Sequence, residues 1–244
     1  MKHLIIGYGV MGKKYERILT DLGDMVDVCD IEFNPDRTEW SAYDSVLICT
    51  PPETHAKLIY AVSDFFFKGK IFCEKPLVTY LEEDINTVTD DITSMVSCPW
   101  RYCTCVNWVQ LENIKCFYSA RDKGPRLDLI HFVDVVWEKY GIPKVAYFAQ
   151  KRKRNFLNVN GRTFNLVFTK KKQKTVYKAY DEASREIHKT ECSMFFDMMK
   201  DWRKVVSGKI KSPNDFRKAE FRTKWLMEIM KKPFLSGRLR DALL

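Results

Sequence analysis

No apolar run in this 244-residue chain approaches the roughly 20 residues that a membrane-spanning helix requires. The longest candidate, Val62 to Phe72, is broken by Asp64, Lys68 and Lys70. The N-terminal stretch Leu4-Ile5-Ile6 is too short for a signal peptide and runs straight into glycine. There is no C-x-x-C pair, and the nearest cysteines, Cys103 and Cys105, do not match a zinc knuckle. No metal site is therefore expected. Glycine (10) and proline (9) are too sparse for a collagenous or linker-like chain, and neither an internal repeat nor a low-complexity segment is present. Zinc-finger, homeodomain and RNP patterns are also missing.

What the chain does contain is a globular balance: 45% hydrophobic and 30% charged residues, with 41 Lys+Arg against 32 Asp+Glu for a net charge of +9. Its eight cysteines include several set in apolar, strand-like runs (VDVCDI, VLICT, KIFCEK), where a thiol acts as a small hydrophobe. The expectation is a reduced, cytoplasmic protein. Basic residues cluster at Lys151–Arg154 and Lys170–Lys174. Solvated strand ends and a hairpin turn explain such runs. A nucleic-acid-binding protein using the first cluster is the contrasting class, recognised by steep salt dependence. The positive charge also suits an anionic small molecule.

The first half alternates short apolar strands with helical stretches. Strands are expected at Lys2–Ile6, Met25–Cys29, Ser45–Cys49, Lys70–Cys73 and Met95–Cys98, and helices at 13–22, 54–66 and 82–92. That order predicts an α/β, Rossmann-like parallel sheet covered on both faces. The second half reads as α+β on a mostly antiparallel sheet. Strands are expected at 114–120, 144–150, 163–168 and 175–180, the last two forming a hairpin through the lysine-rich turn. Helices are expected at 128–140, closed by Gly141, and at 191–206 and 215–230. The domain boundary falls near Cys98–Pro99, giving domains 1–98 and 99–244. Trp137, Trp202 and the pair Phe195-Phe196 read as core, and His3 and His188 as surface residues.

Gly7-Tyr8-Gly9-Val10-Met11-Gly12 fits G-x-G-x-x-G, follows a strand and opens a helix, which is the context a dinucleotide site needs. Gly7 permits the tight turn, Gly9 lets the backbone approach a pyrophosphate, and Gly12 lets the helix pack closely. The helix N-terminus, with Val10 and Met11 in its first turn, supplies free N–H groups to the phosphates. Asp30, 23 residues after Gly7, is suited to accept hydrogen bonds from an adenosine ribose. Its carboxylate favours NAD over NADP, although Arg37 in the following loop could serve a 2′-phosphate. A methyltransferase also pairs a glycine loop with an acidic residue, but its glycine pattern is looser.

Two further segments, Val46-Leu-Ile-Cys-Thr-Pro-Pro-Glu-Thr-His55 and Gly69-Lys-Ile-Phe-Cys-Glu-Lys-Pro-Leu77, each place a strand before a polar turn. With the glycine motif they resemble the glucose–fructose oxidoreductase / inositol dehydrogenase (Gfo/Idh/MocA) family. Glu74-Lys75-Pro76 is the most specific part. Trp100-Arg101-Tyr102 and Leu127-Asp-Leu-Ile-His-Phe-Val-Asp134 are also similar to family segments. The match is strongest over residues 1–141.

The resemblance implies an NAD(P)-dependent oxidoreductase that moves a hydride reversibly at a secondary alcohol or ketone of a sugar or sugar-nucleotide. It implies that Lys75 hydrogen-bonds the reacting oxygen, that His131 is the general acid/base, and that Asp128 orients that pair. It places Thr50, Pro51 and His55 along the cofactor cleft, Glu74 near the nicotinamide ribose, and Arg101 against cofactor or substrate charge. These roles make chemical sense, because His titrates near neutrality, and Asp128, His131 and Asp134 share one helix face. The chain departs from the family in two ways. Only 15 residues separate Asp30 from Val46, so the usual second helix is reduced or absent, and Asp128 and His131 are spaced by three where many relatives use four. Relatives often pair subunits through the outer face of the second sheet, so a homo-oligomer is one arrangement to test. The contrasting reading on the same fold is a non-catalytic NAD(H) sensor or scaffold. A biliverdin-reductase-like activity is a further one, from which Glu74-Lys75-Pro76 leans away.

Overall fold

The computed structural model describes residues 1–30, 32–66, 70–79, 85, 92–102, 116–118, 129–141, 146–151, 154–159, 162–168, 177–180, 186–190 and 194–231. It divides into two compact units: Met1–Tyr102 with Ser193–Lys224, and Cys103–Cys192 with Trp225–Leu244.

The first unit is built on five parallel strands, β1 (Lys2–Ile6), β2 (Met25–Cys29), β3 (Ser45–Ile48), β4 (Lys70–Cys73) and β5 (Thr93–Val96), in the order β2-β1-β3-β4-β5. Successive side chains of a strand point to opposite faces, and the sheet's apolar residues divide accordingly. Leu4, Ile6, Val46, Ile48, Ile71, Cys73 and Val96 pack with Ile59 and Val62 of α2 (His55–Phe66) and with Phe216 and Ala219 of the last helix. Ile5, Leu47, Phe72 and Met95 face the other way, onto Tyr15 and Leu19 of α1 (Val10–Asp21). Both faces are thus covered, as the near-continuous apolar strands require. The helix expected at 82–92 lies outside the described residues, except that Ile85 is fully buried in the α2-side cluster.

The expected boundary near 98–99 does not hold for the late helix. The helix Met194–Val206 belongs to the first unit, because Met198, Met199, Trp202, Val205 and Val206 fill the α1-side cluster. Right-handed crossovers explain the need. The β1–β2 connection puts α1 on one face, and the β3–β4 connection puts α2 on the other, so α1 alone would leave Leu47, Phe72 and Met95 open to water. Among the described residues between β2 and β3 the chain makes two 3-10 turns, Pro35–Arg37 and Trp40–Ala42, where a second helix would otherwise stand. Trp40 anchors this link: it is buried, donates Nε1–H to the Pro35 carbonyl at 3.1 Å and meets Phe33 edge-on at 6.0 Å.

His3, expected at the surface, is fully buried. Its Nδ1 lies 2.7 Å from Ser45 Oγ and its Nε2 3.2 Å from Asp24 Oδ2. Trp202 Nε1–H also reaches Ser45 Oγ, at 3.3 Å. Burial lowers the His3 pKa, the N-terminal amine lowers it further, and Asp24 and Asp44 oppose the shift. Arg203, on the helix packed above, also faces Asp24. The folded state therefore holds its proton less tightly than the unfolded chain does. Stability should be full above the ordinary His pKa of about 6.5 and fall as pH drops below it. Urea midpoints measured from pH 7.5 to 5.5 should show this decline, and His3→Gln should flatten it; a decline of equal slope in the variant would assign the effect to other groups.

The second unit carries a four-stranded sheet of β6 (Cys116–Tyr118), β7 (Ala146–Lys151), β8 (Arg154–Val159) and β9 (Arg162–Phe168), in the order β6-β9-β8-β7, and a separate pair, β10 (Tyr177–Tyr180) and β11 (Glu186–Thr190). Only β6–β9 is parallel among these pairings. The expected hairpin between 163–168 and 175–180 does not form. Strand β9 turns back on β8 instead, with Val159 opposite Arg162, and β10 pairs with β11. Two residues, Asn160 and Gly161, separate the paired ends, and Asn-Gly is the stronger hairpin signal. The basic run 151–154 spans strand ends, with Lys151 paired to Arg154, while 170–174 lies outside the described residues.

Helix α3 (Leu129–Tyr140) ends as expected: Gly141, at φ +76°, donates its N–H to Trp137 O at 2.9 Å. Two more helices follow among the described residues, α4 (Met194–Val206) and α5 (Phe216–Lys231). Trp137 packs edge-on against Trp225 at 5.2 Å. No helix among the described residues is long and apolar enough to cross a membrane.

Candidate functional site

The strand order reverses direction between β1 and β3, since one crossover runs outward to β2 and the next runs back past β1. Open parallel sheets hold ligands at the carboxyl ends of strands beside such a switch point. Here those ends carry the glycine turn after β1 and Thr50-Pro51 after β3.

Each glycine of the turn meets a different constraint. Gly7 has φ +96°, and a Cβ there would lie 2.8 Å from the Cys49 and Thr50 backbone. Its N–H donates to Cys29 O at 2.8 Å, tying the turn to the end of β2. A Cβ on Gly12 would lie 2.1 Å from the Gly7 carbonyl oxygen, so only glycine lets α1 sit this close to β1. A Cβ on Gly9 would meet nothing within 4 Å. The backbone at Gly9 is thus open to an approaching group. The first turn of α1, with exposed Val10 and half-buried Met11, has neither a side-chain cap nor an acidic residue. Its N–H groups and the positive end of the helix dipole remain available to a phosphate. Asp30 is exposed immediately after β2, and Arg37 is exposed in the short link that follows.

Thr50 is half-buried and accepts a hydrogen bond from Thr54 Oγ1 at 2.7 Å, while Pro51 is exposed. His55, expected along the cleft, is fully buried. Its Nδ1 lies 2.8 Å from Pro76 O and its Nε2 2.9 Å from Thr50 O. Whichever nitrogen carries the proton, a ring N–H reaches one of these carbonyls. His55 thus braces the β3 turn against the Lys75-Pro76 turn, and its ring is occupied by the main chain.

The Glu74-Lys75-Pro76 turn sits at the carboxyl end of β4, with Glu74 N–H bonded to Ile48 O at 2.9 Å. Glu74 is buried, and two donors converge on its carboxylate. The Tyr15 hydroxyl donates to Oε1, and Lys75 N–H donates to Oε2 at 3.2 Å. Ser97 Oγ lies 3.1 Å from the Tyr15 oxygen. Burial, reinforced by Glu74, pushes the Tyr15 pKa well up, so the phenol keeps its proton and serves as a donor. Lys14 is half-buried nearby with Nζ 4.0 Å above the Phe195 ring; burial lowers its pKa and Glu74 partly restores it. Burial likewise raises the Cys49 and Cys73 thiols well above their usual range, which removes thiolate chemistry from these strand ends.

Lys75 itself is half-buried. Arg101, expected to meet cofactor or substrate charge, donates from Nη1 to Pro213 O at 2.8 Å. His131 lies in the second unit, buried on α3, and Asp134 is buried three residues further along the same helix. Asp128 lies outside the described residues. Tyr15, Ser97 and Lys14 were missed in the sequence. The available signal was Tyr15 on the buried stripe Gly12, Tyr15, Leu19: a phenol on a core-facing stripe needs a partner for its hydroxyl.

No family model matches the sequence, and no curated protein does. Solved structures share the fold. A dehydrogenase (MviM) from Clostridium difficile aligns with TM-score 0.71 and 14% identity, over 94% of this chain and 98% of that one. UDP-N-acetylglucosamine 3-dehydrogenase GnnA from Acidithiobacillus ferrooxidans aligns with TM-score 0.70 and 13% identity, over 94% and 96%. The WlbA (WbpB) dehydrogenase from Thermus thermophilus, crystallised with NAD and UDP-GlcNAcA, aligns with TM-score 0.69 and 13% identity, over 98% of each chain.

Proposed function

We propose that the chain is an NAD(P)-dependent oxidoreductase of the Gfo/Idh/MocA type, with NAD preferred, acting on a secondary alcohol or ketone of a sugar or sugar-nucleotide. The observation that carries this reading is the glycine turn. Gly12 is held glycine by a 2.1 Å approach, while Gly9 leaves open backbone where a pyrophosphate would lie. Support also comes from the company the fold keeps, since GnnA is named for a sugar-nucleotide dehydrogenase activity and the Thermus protein was crystallised with NAD and a sugar-nucleotide.

The residues fit the cofactor as follows. The uncapped first turn of α1 would take the pyrophosphate, Asp30 the adenosine ribose, and Thr50 and Pro51 would flank it. When bound, the nicotinamide takes or returns the hydride. Lys75, held by the Glu74 and Pro76 contacts of its own turn, would donate a hydrogen bond to the reacting oxygen. His131 would take the hydroxyl proton on oxidation and return it on reduction. Glu74 is engaged by Tyr15, so its part is to fix the turn. Arg101 braces the segment before α5 through Pro213.

Titration of the purified protein with NADH and NADPH, followed by nicotinamide fluorescence, tests the reading. NADH should bind at least about tenfold tighter, equivalent to about 1.4 kcal/mol. Asp30→Ala should narrow that gap. Binding of neither nucleotide would overturn the dehydrogenase assignment.

A further inference from the structure

We infer that Tyr15 is a positioning residue: it holds Glu74 so that the turn bearing Lys75 is fixed beside the nicotinamide site. The inference rests on the proposed cofactor site but concerns a residue to which neither the glycine motif nor the Glu-Lys-Pro segment assigns a role. The geometry is that of a two-oxygen clamp. A carboxyl group offers two acceptor oxygens, and here one is taken by the Tyr15 hydroxyl and the other by Lys75 N–H. Ser97 Oγ, 3.1 Å away, backs the phenol from β5's end. The ring is held edge-on to Phe72 at 5.3 Å and tilted to Phe195 at 6.3 Å, which aims the hydroxyl.

Tyr15 stands on the helix whose first turn would bind the pyrophosphate, three residues after Gly12. It therefore links the phosphate end of the site to the chemical end by one buried hydrogen bond. Tyr15→Phe keeps the ring contacts and removes only that bond. Glu74→Leu is an independent way to open the clamp, because it removes both acceptor oxygens at similar side-chain size.

The test is NADH bound to the intact protein, read by its affinity and by the emission maximum and lifetime of its nicotinamide. Tyr15→Phe should bind NADH within about threefold of wild type, since the glycine turn and Asp30 are untouched. Both variants should shift the emission maximum and lifetime of the bound nicotinamide, because the turn beside it has moved. Emission and lifetime identical to wild type in a folded variant would overturn the positioning role. Should Tyr15→Phe fail to fold by circular dichroism, Glu74→Leu supplies the same readout with the tyrosine core intact. Failure of wild-type protein to bind NADH would instead overturn the cofactor reading, a result distinct from unaltered fluorescence in the variants.

Discussion

Gly12→Ala should destabilise the chain by about 3 kcal/mol or more, the upper end of what overpacking costs, and should abolish NADH binding. The added Cβ would lie 2.1 Å from a backbone oxygen, so no side-chain rotation relieves it. Helix α1 must move off β1 by more than an ångström, which opens the cluster of Tyr15, Leu19, Phe72 and Trp202. Gly9→Ala is the matched control. Its Cβ enters open space and its backbone is extended, so stability should change by no more than about 0.5 kcal/mol. The methyl would nonetheless stand where the proposed site takes the pyrophosphate, and NADH affinity should fall about tenfold or more. Urea melts and fluorescence titrations of the two variants separate packing from ligand approach. Equal stability losses would show that Gly9 is also structural, and unaltered NADH affinity in Gly9→Ala would place the phosphates elsewhere.

Asp24→Ala should cost about 3 kcal/mol, because removing one member of a buried ion pair strands the others. The Asp24 side chain is inaccessible and gathers Arg203 Nε at 2.9 Å, the Met1 amine at 3.1 Å and His3 Nε2 at 3.2 Å. Arg203 is one-third exposed and keeps some hydration, which holds the expected cost to the low end of the buried range. Asp27→Ala provides the comparison. Its carboxylate also makes close contacts, with Lys2 Nζ and Tyr43 Oη both at 2.9 Å, but it is 47% exposed. Water and mobile ions screen that pair, so the loss should stay within about 1 kcal/mol. The Asp24 result bears on architecture, since this carboxylate fastens α4 to the amino edge of the sheet. Denaturant unfolding that gave equal losses for both would mean the α4 attachment rests on apolar packing alone.

Much of the first unit was legible because its elements are specified locally. Alternation of short apolar runs with helical stretches is enough for a parallel sheet, and three glycines at fixed spacing after a strand are enough for the turn. The position of α4 was not legible in that way. Its apolar face reads as amphipathic in any context, and which surface it covers depends on which face of the first sheet lacks a helix. The hairpin was misassigned for a different reason. A lysine-rich turn between two apolar runs fits a hairpin by charge alone, whereas Asn160-Gly161 is the dipeptide that two-residue hairpin turns favour, and β8 pairs with β9 across it. His3 read as a surface residue because its partners, Asp24 and Ser45, lie 21 and 42 positions away.

At the candidate site the same division holds. The sequence alone determined the α/β class, the glycine turn, the acidic residue after β2 and the Glu-Lys-Pro turn at a strand end, because each is encoded by neighbours within a few residues. Only the tertiary structure decided that His55 and Arg101 are braces bonded to the main chain, that Glu74 is gripped by Tyr15 59 residues before it, and that α4 returns to the first sheet. The physical reason is the range of the interactions. Turn geometry and strand alternation act along the chain, whereas a buried carboxylate or imidazole must take whatever partner folding brings to it, and that partner has no fixed distance in sequence.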